Sequence, residues 1–279
     1  MARGEDYGAR LKPFLFALLL PSLAFAQGDP TSRSWNQPVE PFRIAGNLYY
    51  VGANEITSYL LASKQGHIVL DGGFVETAPM ILENIRKLGF RPEDVKILLS
   101  SHAHLDHAGG LAELKRVTGA KFYASRGDLP QHGRGGLDDP QFGNRFPYPP
   151  VYADRMLEHG SRVRLGSIDM VALITPGHTP GCTTWTTTID GKEVVFLCSP
   201  SIPSDYRLRD NPRYPNAIAD YRRQFEILKA LTPDIWLASH GNFFDLEAKR
   251  TGKRSFVDPE GYRSFVEASE QRFEKRAVE

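Results

Sequence analysis

The sequence predicts an α+β fold of αββα form, two face-to-face mixed sheets with helices outside. Three observations predict it. Compact apolar runs of strand length recur along the chain, amphipathic helical stripes fall between them, and this meander of strands with inserted helices occurs twice. With 41% of its 279 residues apolar, the chain can bury a large core.

Taken in order, Arg10 and Lys12 precede an apolar run at residues 14–20, followed by Pro21, Ser22 and the small-x-small triplet Ala24, Phe25, Ala26 ahead of Gln27. That is the layout of a secretory signal peptide over residues 1–26, leaving residues 27–279 as one domain. Residues 27–40, polar with Pro and Ser, read as a loose arm. Residues 42–51, 57–63 and 67–70 read as short strands, and Asp71, Gly72 and Gly73 break the run. Ile81, Ile85 and Leu88 share a helical face that Gly89 ends, and residues 96–100 (KILLS) have the composition of a buried strand. Leu111, Leu114 and Val117 mark a helix closed by Gly119, with a strand at 120–124. Residues 126–150, rich in Gly, Asp and Pro, form a long aperiodic loop of the kind that carries function. Strands return at 168–175, 183–189 and 194–198, with Asp190 and Gly191 as a hairpin signal. Ile218, Tyr221, Phe225 and Leu228 form a helical stripe, residues 235–238 a short buried strand, and Tyr262, Phe265, Val266 and Phe273 a C-terminal helix.

The charge balance narrows the function. Net charge is +1, and the largest basic excess, Lys249, Arg250, Lys253 and Arg254, has no interleaved aromatic residues. It reads as a solvated surface turn, and no nucleic-acid partner is expected. The leader's apolar run is far shorter than the ~20 residues of a membrane span, and no other segment is apolar enough. A soluble, exported protein, periplasmic or secreted, is expected, with the oligomeric state left open and a monomer favoured.

Chemistry concentrates in a few of the eight histidines. Residues 101–110 read SHAHLDHAGG, placing His102, His104, Asp106 and His107 on the loop that leaves the KILLS strand. Two histidines at i and i+2 can face one point, and Asp106 and His107, past the turn, a second. Imidazole and carboxylate are the ligand types of catalytic zinc sites. His178 follows another apolar strand inside a rigid Pro-Gly turn (TPGHTPG, 175–181), and His240 directly follows the strand at 235–238. All three segments share one context, a strand and then a loop.

These motifs resemble those of the metallo-β-lactamase superfamily. The wider match, to subclass B3, also rests on residues 70–73 (LDGG), 136–139 (GLDD), 148–150 (YPP) and 211–215 (NPRYP). The resemblance implies the metallo-β-lactamase fold and two zinc ions, His102, His104 and His178 holding the first and Asp106, His107 and His240 the second. It implies a hydrolase that opens the ring of penicillins, cephalosporins or carbapenems with a zinc-bound hydroxide, with Asp106 both ligand and orienter of the nucleophile. By the same resemblance Ser199 and Ser201 meet the substrate carboxylate, and Ile56 and Phe142 are candidates for an apolar wall.

Two other readings share part of this pattern. Glyoxalase II-like thioesterases and lactonases carry a bridging aspartate after a later strand; here residues 194–201 offer no carboxylate, although Asp205 lies a little downstream. A non-catalytic zinc module would favour four ligands and thiolates. The two cysteines, Cys182 and Cys198, are expected to form a disulfide. They share the summed number of Thr188 and Lys192 across a three-residue hairpin loop, so the two would face each other.

Overall fold

A computed structural model describes residue 1 and residues 30–279. The proposed leader and its cleavage site lie outside the described residues. After helix α1 (Pro30–Trp35), strands β1 (Phe42–Ala45), β2 (Leu48–Tyr50), β3 (Tyr59–Ser63) and β4 (Gly66–Leu70) form an antiparallel meander. Helix α2 (Ala78–Lys87) leads to β5 (Val95–Leu99), the short α3 (Leu105–Ala108) and α4 (Leu111–Thr118) to β6 (Lys121–Ser125), and α5 (Leu129–Arg134) to β7 (Arg155–Leu157). β5, β6 and β7 extend the sheet in parallel, giving the seven-stranded order β1 to β7. The second sheet takes β8 (Ser161–Leu165), β9 (Ile168–Ile174), β10 (Thr183–Ile189), β11 (Lys192–Leu197) and, after helix α6 (Ala217–Lys229), the parallel β12 (Ile235–Ala238). Helices α7 (Leu246–Arg250) and α8 (Pro259–Val278) complete the chain.

The central strands of the first sheet, β3 to β5, are buried on both faces, and alternate residues divide between two cores. Leu61, Ile68, Leu70, Ile97 and Leu99 join Met170, Ala172, Trp185 and Phe196 between the sheets. Leu60, Val69, Leu98 and Phe122 pack outward against Ile81, Ile85, Leu111 and Leu114 of α2 and α4. Helices α6 and α8 contribute Tyr221, Phe225, Val266 and Phe273 to the core around the second sheet. The αββα arrangement is thus observed. Among the described residues no helix is long and apolar enough to cross a membrane.

Four local expectations are corrected. Residues 42–51 are a hairpin rather than one strand, because Gly46 takes φ 45° and turns the chain between β1 and β2. Residues 126–150 contain α5, and β7 and β8 follow without having been read from the sequence; β7 has only three residues, two of them exposed, and β8 has a single buried position, Val163, so neither forms a compact apolar run. The 27–40 arm is docked from α1 onward, with Trp35 O accepting from Glu55 N and Ile56 N, and Gln37 O from Asn54 N. Lys249 is not solvated. α7 buries its side chain, its Nζ 3.0 Å from Asp258 and 5.1 Å from the centre of the Trp236 ring, where ion pairing offsets the desolvation that lowers its pKa.

Candidate metal centre

Each predicted ligand segment leaves the end of a buried strand. Residues 101–107 follow β5 of the first sheet, His178 follows β9 and His240 follows β12 of the second. Close backbone approach sets the first loop. Gly72 N donates to His107 O and Gly110 N to Gly73 O; a Cβ on Gly110 would lie 2.2 Å from Gly72 O, so only glycine fits. Asp128 ties this loop to the His178 turn. Its Oδ2 accepts from Ala103 N (3.0 Å) and Thr179 Oγ1 (2.8 Å), its Oδ1 from Gly181 N (2.7 Å). A side chain on Gly181 would meet Ser125 Oγ at 2.2 Å and break that junction.

Six side-chain atoms face inward as two adjoining groups. His104 Nδ1 and His178 Nε2 are 3.1 Å apart, and His102 completes a set whose ligand atoms all lie within 4.8 Å of one another. Asp106 Oδ2 lies 3.3 Å from His107 Nε2 and 3.5 Å from His240 Nε2, and the two nitrogens are 3.3 Å apart. Zinc bonds of 2.0–2.1 Å at tetrahedral angles place neighbouring ligand atoms roughly 3.3–3.4 Å apart, so this triangle fits one face of a zinc polyhedron. His102 Nε2 is buried without any hydrogen-bond partner, a cost that a cation at this point would remove.

A polar group stands behind every one of the other ring nitrogens. His102 Nδ1 lies 3.0 Å from Ser101 Oγ, and His178 Nδ1 3.0 Å from the Ser201 carbonyl, to which it donates. Three carboxylates stand behind the other rings. Asp139 is 3.4 Å from His104 Nε2, Asp71 is 3.6 Å from His107 Nδ1 and Glu55 is 3.6 Å from His240 Nδ1. Carboxylates and carbonyls behind metal-binding imidazoles fix the tautomer that leaves the inner nitrogen free. Burial, reinforced by neighbouring imidazoles, lowers the pKa of His102 and of His178 and keeps both neutral. Burial works against charge on His107 too, but the Asp106 and Asp71 carboxylates push it up to about 10. Burial likewise opposes charge on Asp106, yet His107 and His240 hold its carboxyl far below the usual range. The Asp106–His107 pair thus attracts positive charge, which a cation could supply in place of the proton.

The surrounding residues divide into supports and walls. Ser199 Oγ and Ser201 Oγ are 3.0 Å apart beside His178. The Phe142 ring is 5.0 Å from His104 and partly exposed, whereas Ile56 is fully buried. Ile56 is therefore no wall against a substrate; its backbone bridges to His240 and supports that loop from beneath. Asp205 pairs with Arg145 instead of entering the centre. Cys182 and Cys198 form a disulfide with Cα atoms 5.9 Å apart. The register expected for it is off by one, because Ile189 pairs with Lys192 across a two-residue turn in which Asp190 and Gly191 both have positive φ. Sequence reasoning missed Glu55, which no motif marks, and Trp35, whose ring stands edge-on to His240 at 5.5 Å. Asp71 and Asp139 lay inside the LDGG and GLDD segments, a signal for their positions but not for their partners.

Comparison with known proteins places the chain. A family model of the metallo-beta-lactamase superfamily matches residues 51–240. A solved metallo-β-lactamase of Cronobacter sakazakii, described by a HARLDQ motif, is 40% identical at a TM-score of 0.86, over 89% of this chain and 98% of its own. Residues 102–107 here read HAHLDH, with His104 and His107 where that motif has Arg and Gln. BJP-1, a subclass B3 metallo-β-lactamase of Bradyrhizobium japonicum, is 35% identical at a TM-score of 0.81, over 88% of this chain and 96% of its own. A probable metallo-hydrolase of Burkholderia pseudomallei is 32% identical over 118 residues, 40% of this chain and only 37% of that relative's length. The match of residues 51–240, together with a 40% identity spanning nearly all of one solved enzyme, makes this chain a member of the metallo-β-lactamase superfamily, similar in structure to its subclass B3.

Proposed function

We propose that the chain is a zinc-dependent hydrolase that opens the β-lactam ring of penicillins, cephalosporins or carbapenems. One observation carries the reading: five imidazoles and one carboxylate each turn one atom inward, in two adjoining groups of three. His102, His104 and His178 would hold one zinc ion and Asp106, His107 and His240 a second. Two such ions would supply Lewis-acid polarisation of the lactam carbonyl and a water that ionises near neutral pH. Asp106, with Oδ2 in the triangle, has its other oxygen to accept a hydrogen bond from the attacking water and orient it. Hydrolysis adds the water oxygen to the lactam carbon, breaks the C–N bond and leaves a proton on the ring nitrogen. The mechanism needs no covalent nucleophile, and Ser201 is not activated as one by His178, whose Nδ1, the ring nitrogen beside Ser201 Oγ, is committed to the Ser201 carbonyl. Ser201, half-buried, receives the substrate carboxylate, with the buried Ser199 behind it at 3.0 Å as the second hydroxyl of the pair, and Phe142 forms an apolar wall over His104.

The thioesterase and lactonase reading is not favoured, since no second carboxylate enters from β11 or its following loop and Asp205 pairs outward with Arg145. Residues 1–26 act as an export leader, residues 27–279 form one domain, and the mature enzyme works as a monomer in the periplasm or outside the cell. The test is hydrolysis of a chromogenic cephalosporin. Chelation abolishes it, zinc restores it, and Asp106→Asn lowers kcat by roughly 100-fold or more while the protein stays folded by circular dichroism. Activity that survives exhaustive chelation, or none on any β-lactam, overturns the reading.

A further inference from the structure

Next to residues that touch His178 and His240 lies a cavity of about 460 Å³, a size that accepts a small organic group. Ser201, whose carbonyl holds His178 Nδ1, is part of its lining. So is Phe243, whose ring lies 5.1 Å from that of His240 and 5.2 Å from Phe265. The cavity therefore stands one residue removed from His178 on one side and from His240 on the other, and has an aromatic floor. Its far side is α8, which contributes Arg272, Lys275 and Arg276. One carboxylate side chain, Glu279, faces these three cations, and it lies 3.4 Å from Arg276. Arg276 also donates to Tyr206 O at 3.1 Å and is fixed in place, while Arg272 and Lys275 stand exposed at the rim.

An aromatic floor under exposed cations suits a flat ring that carries an anion: the rings take its apolar face and the cations its charge. We propose that this cavity is a subsite for an anionic heteroaromatic substituent of the substrate, the one attached beside the carboxylate-bearing carbon of a cephalosporin's six-membered ring. The inference rests on the β-lactamase reading and on Ser201 receiving that carboxylate. Ser201 belongs to both regions, so the neighbouring substituent is the one directed into the cavity.

The test uses zinc-loaded protein and the double variant Arg272→Gln/Lys275→Gln. Two cephalosporins sharing one acylamino side chain carry either a sulfonated heteroarylthio group or a quaternary ammonium group at this position. The parent prefers the anionic substrate, and the ratio of kcat/KM values falls about tenfold in the double variant, the scale expected for two rim charges. Benzylpenicillin, which lacks a substituent there, is hydrolysed equally by both proteins. Calorimetric titration of the free sulfonated heteroarylthiol shows binding to the parent that the variant loses. An unchanged ratio with hydrolysis intact overturns the subsite and leaves the β-lactamase reading standing. Failure of the parent to hydrolyse either cephalosporin overturns that reading instead, and the titration then decides the cavity: absent or unchanged binding rejects it.

Discussion

At the residue scale, the candidate metal centre is defined as much by the outward nitrogens as by the inward ones. An imidazole can present either nitrogen, and the group behind it decides which. Asp139 Oδ1 accepts from Gln141 N and Phe142 N, which leaves Oδ2 for His104 Nε2. Asp139→Asn keeps the first oxygen and sets an NH2 against the ring N–H, two donors facing each other. Glu55→Gln can keep an acceptor for Asn242 N while removing the negative charge behind His240. Each substitution is expected to weaken zinc affinity roughly 10- to 100-fold, the usual cost of losing such a partner. Competition against a chromophoric chelator measures it, and unaltered affinity in both variants means that these carboxylates only pack.

At the element scale, the β10–β11 hairpin shows how one residue of register matters. Its paired residues sum to one more than the cysteines do, so Cys182 and Cys198 are offset by one and lie beyond the last ladder pair, Trp185 with Phe196. The bridge forms there because the ladder has ended and the strands are free to adjust. Cys198 Sγ lies 3.7 Å from His102 Nδ1, behind the metal centre, where a bonded sulfur cannot act as a thiolate ligand. Replacing both cysteines by serine is expected to lower stability by ~3 kcal/mol, from the loop the bridge closes. Urea unfolding measures this, and a loss below ~1 kcal/mol would show that the bridge constrains the unfolded chain little.

At the scale of the whole molecule, the centre joins the two sheets. His102, His104, Asp106 and His107 hang from the first sheet, His178 and His240 from the second, and Asp128 adds a carboxylate link between the two groups of loops. A cation bound across them favours the packed state over every partly opened one. At a thousandfold excess of free zinc over its Kd, binding adds about 4 kcal/mol, which for a chain of this size is roughly 8–16 °C in Tm. Calorimetry before and after chelation is expected to show that fall; an unchanged Tm would mean that the ligands are held equally well without the ion.

The sequence by itself determined the architecture and singled out the six side chains that converge as candidate ligands. Apolar periodicity distinguishes strands from helices locally, and SHAHLDHAGG, TPGHTPG and the strand before His240 each bring their donor with its own turn. Only the tertiary structure decided which residues stand behind those donors. Glu55 and Trp35 reach His240 across 185 and 205 positions of chain, and Asp71 and Asp139 meet His107 and His104 across 36 and 35. It also decided that Ile56 is buried, that Lys249 is packed on Trp236, and that α8 turns Arg272 and Lys275 toward the cavity beside Ser201. Period and turn chemistry act over a few residues and are written in neighbouring letters; burial and electrostatic partnership depend on which distant segments the packing brings together.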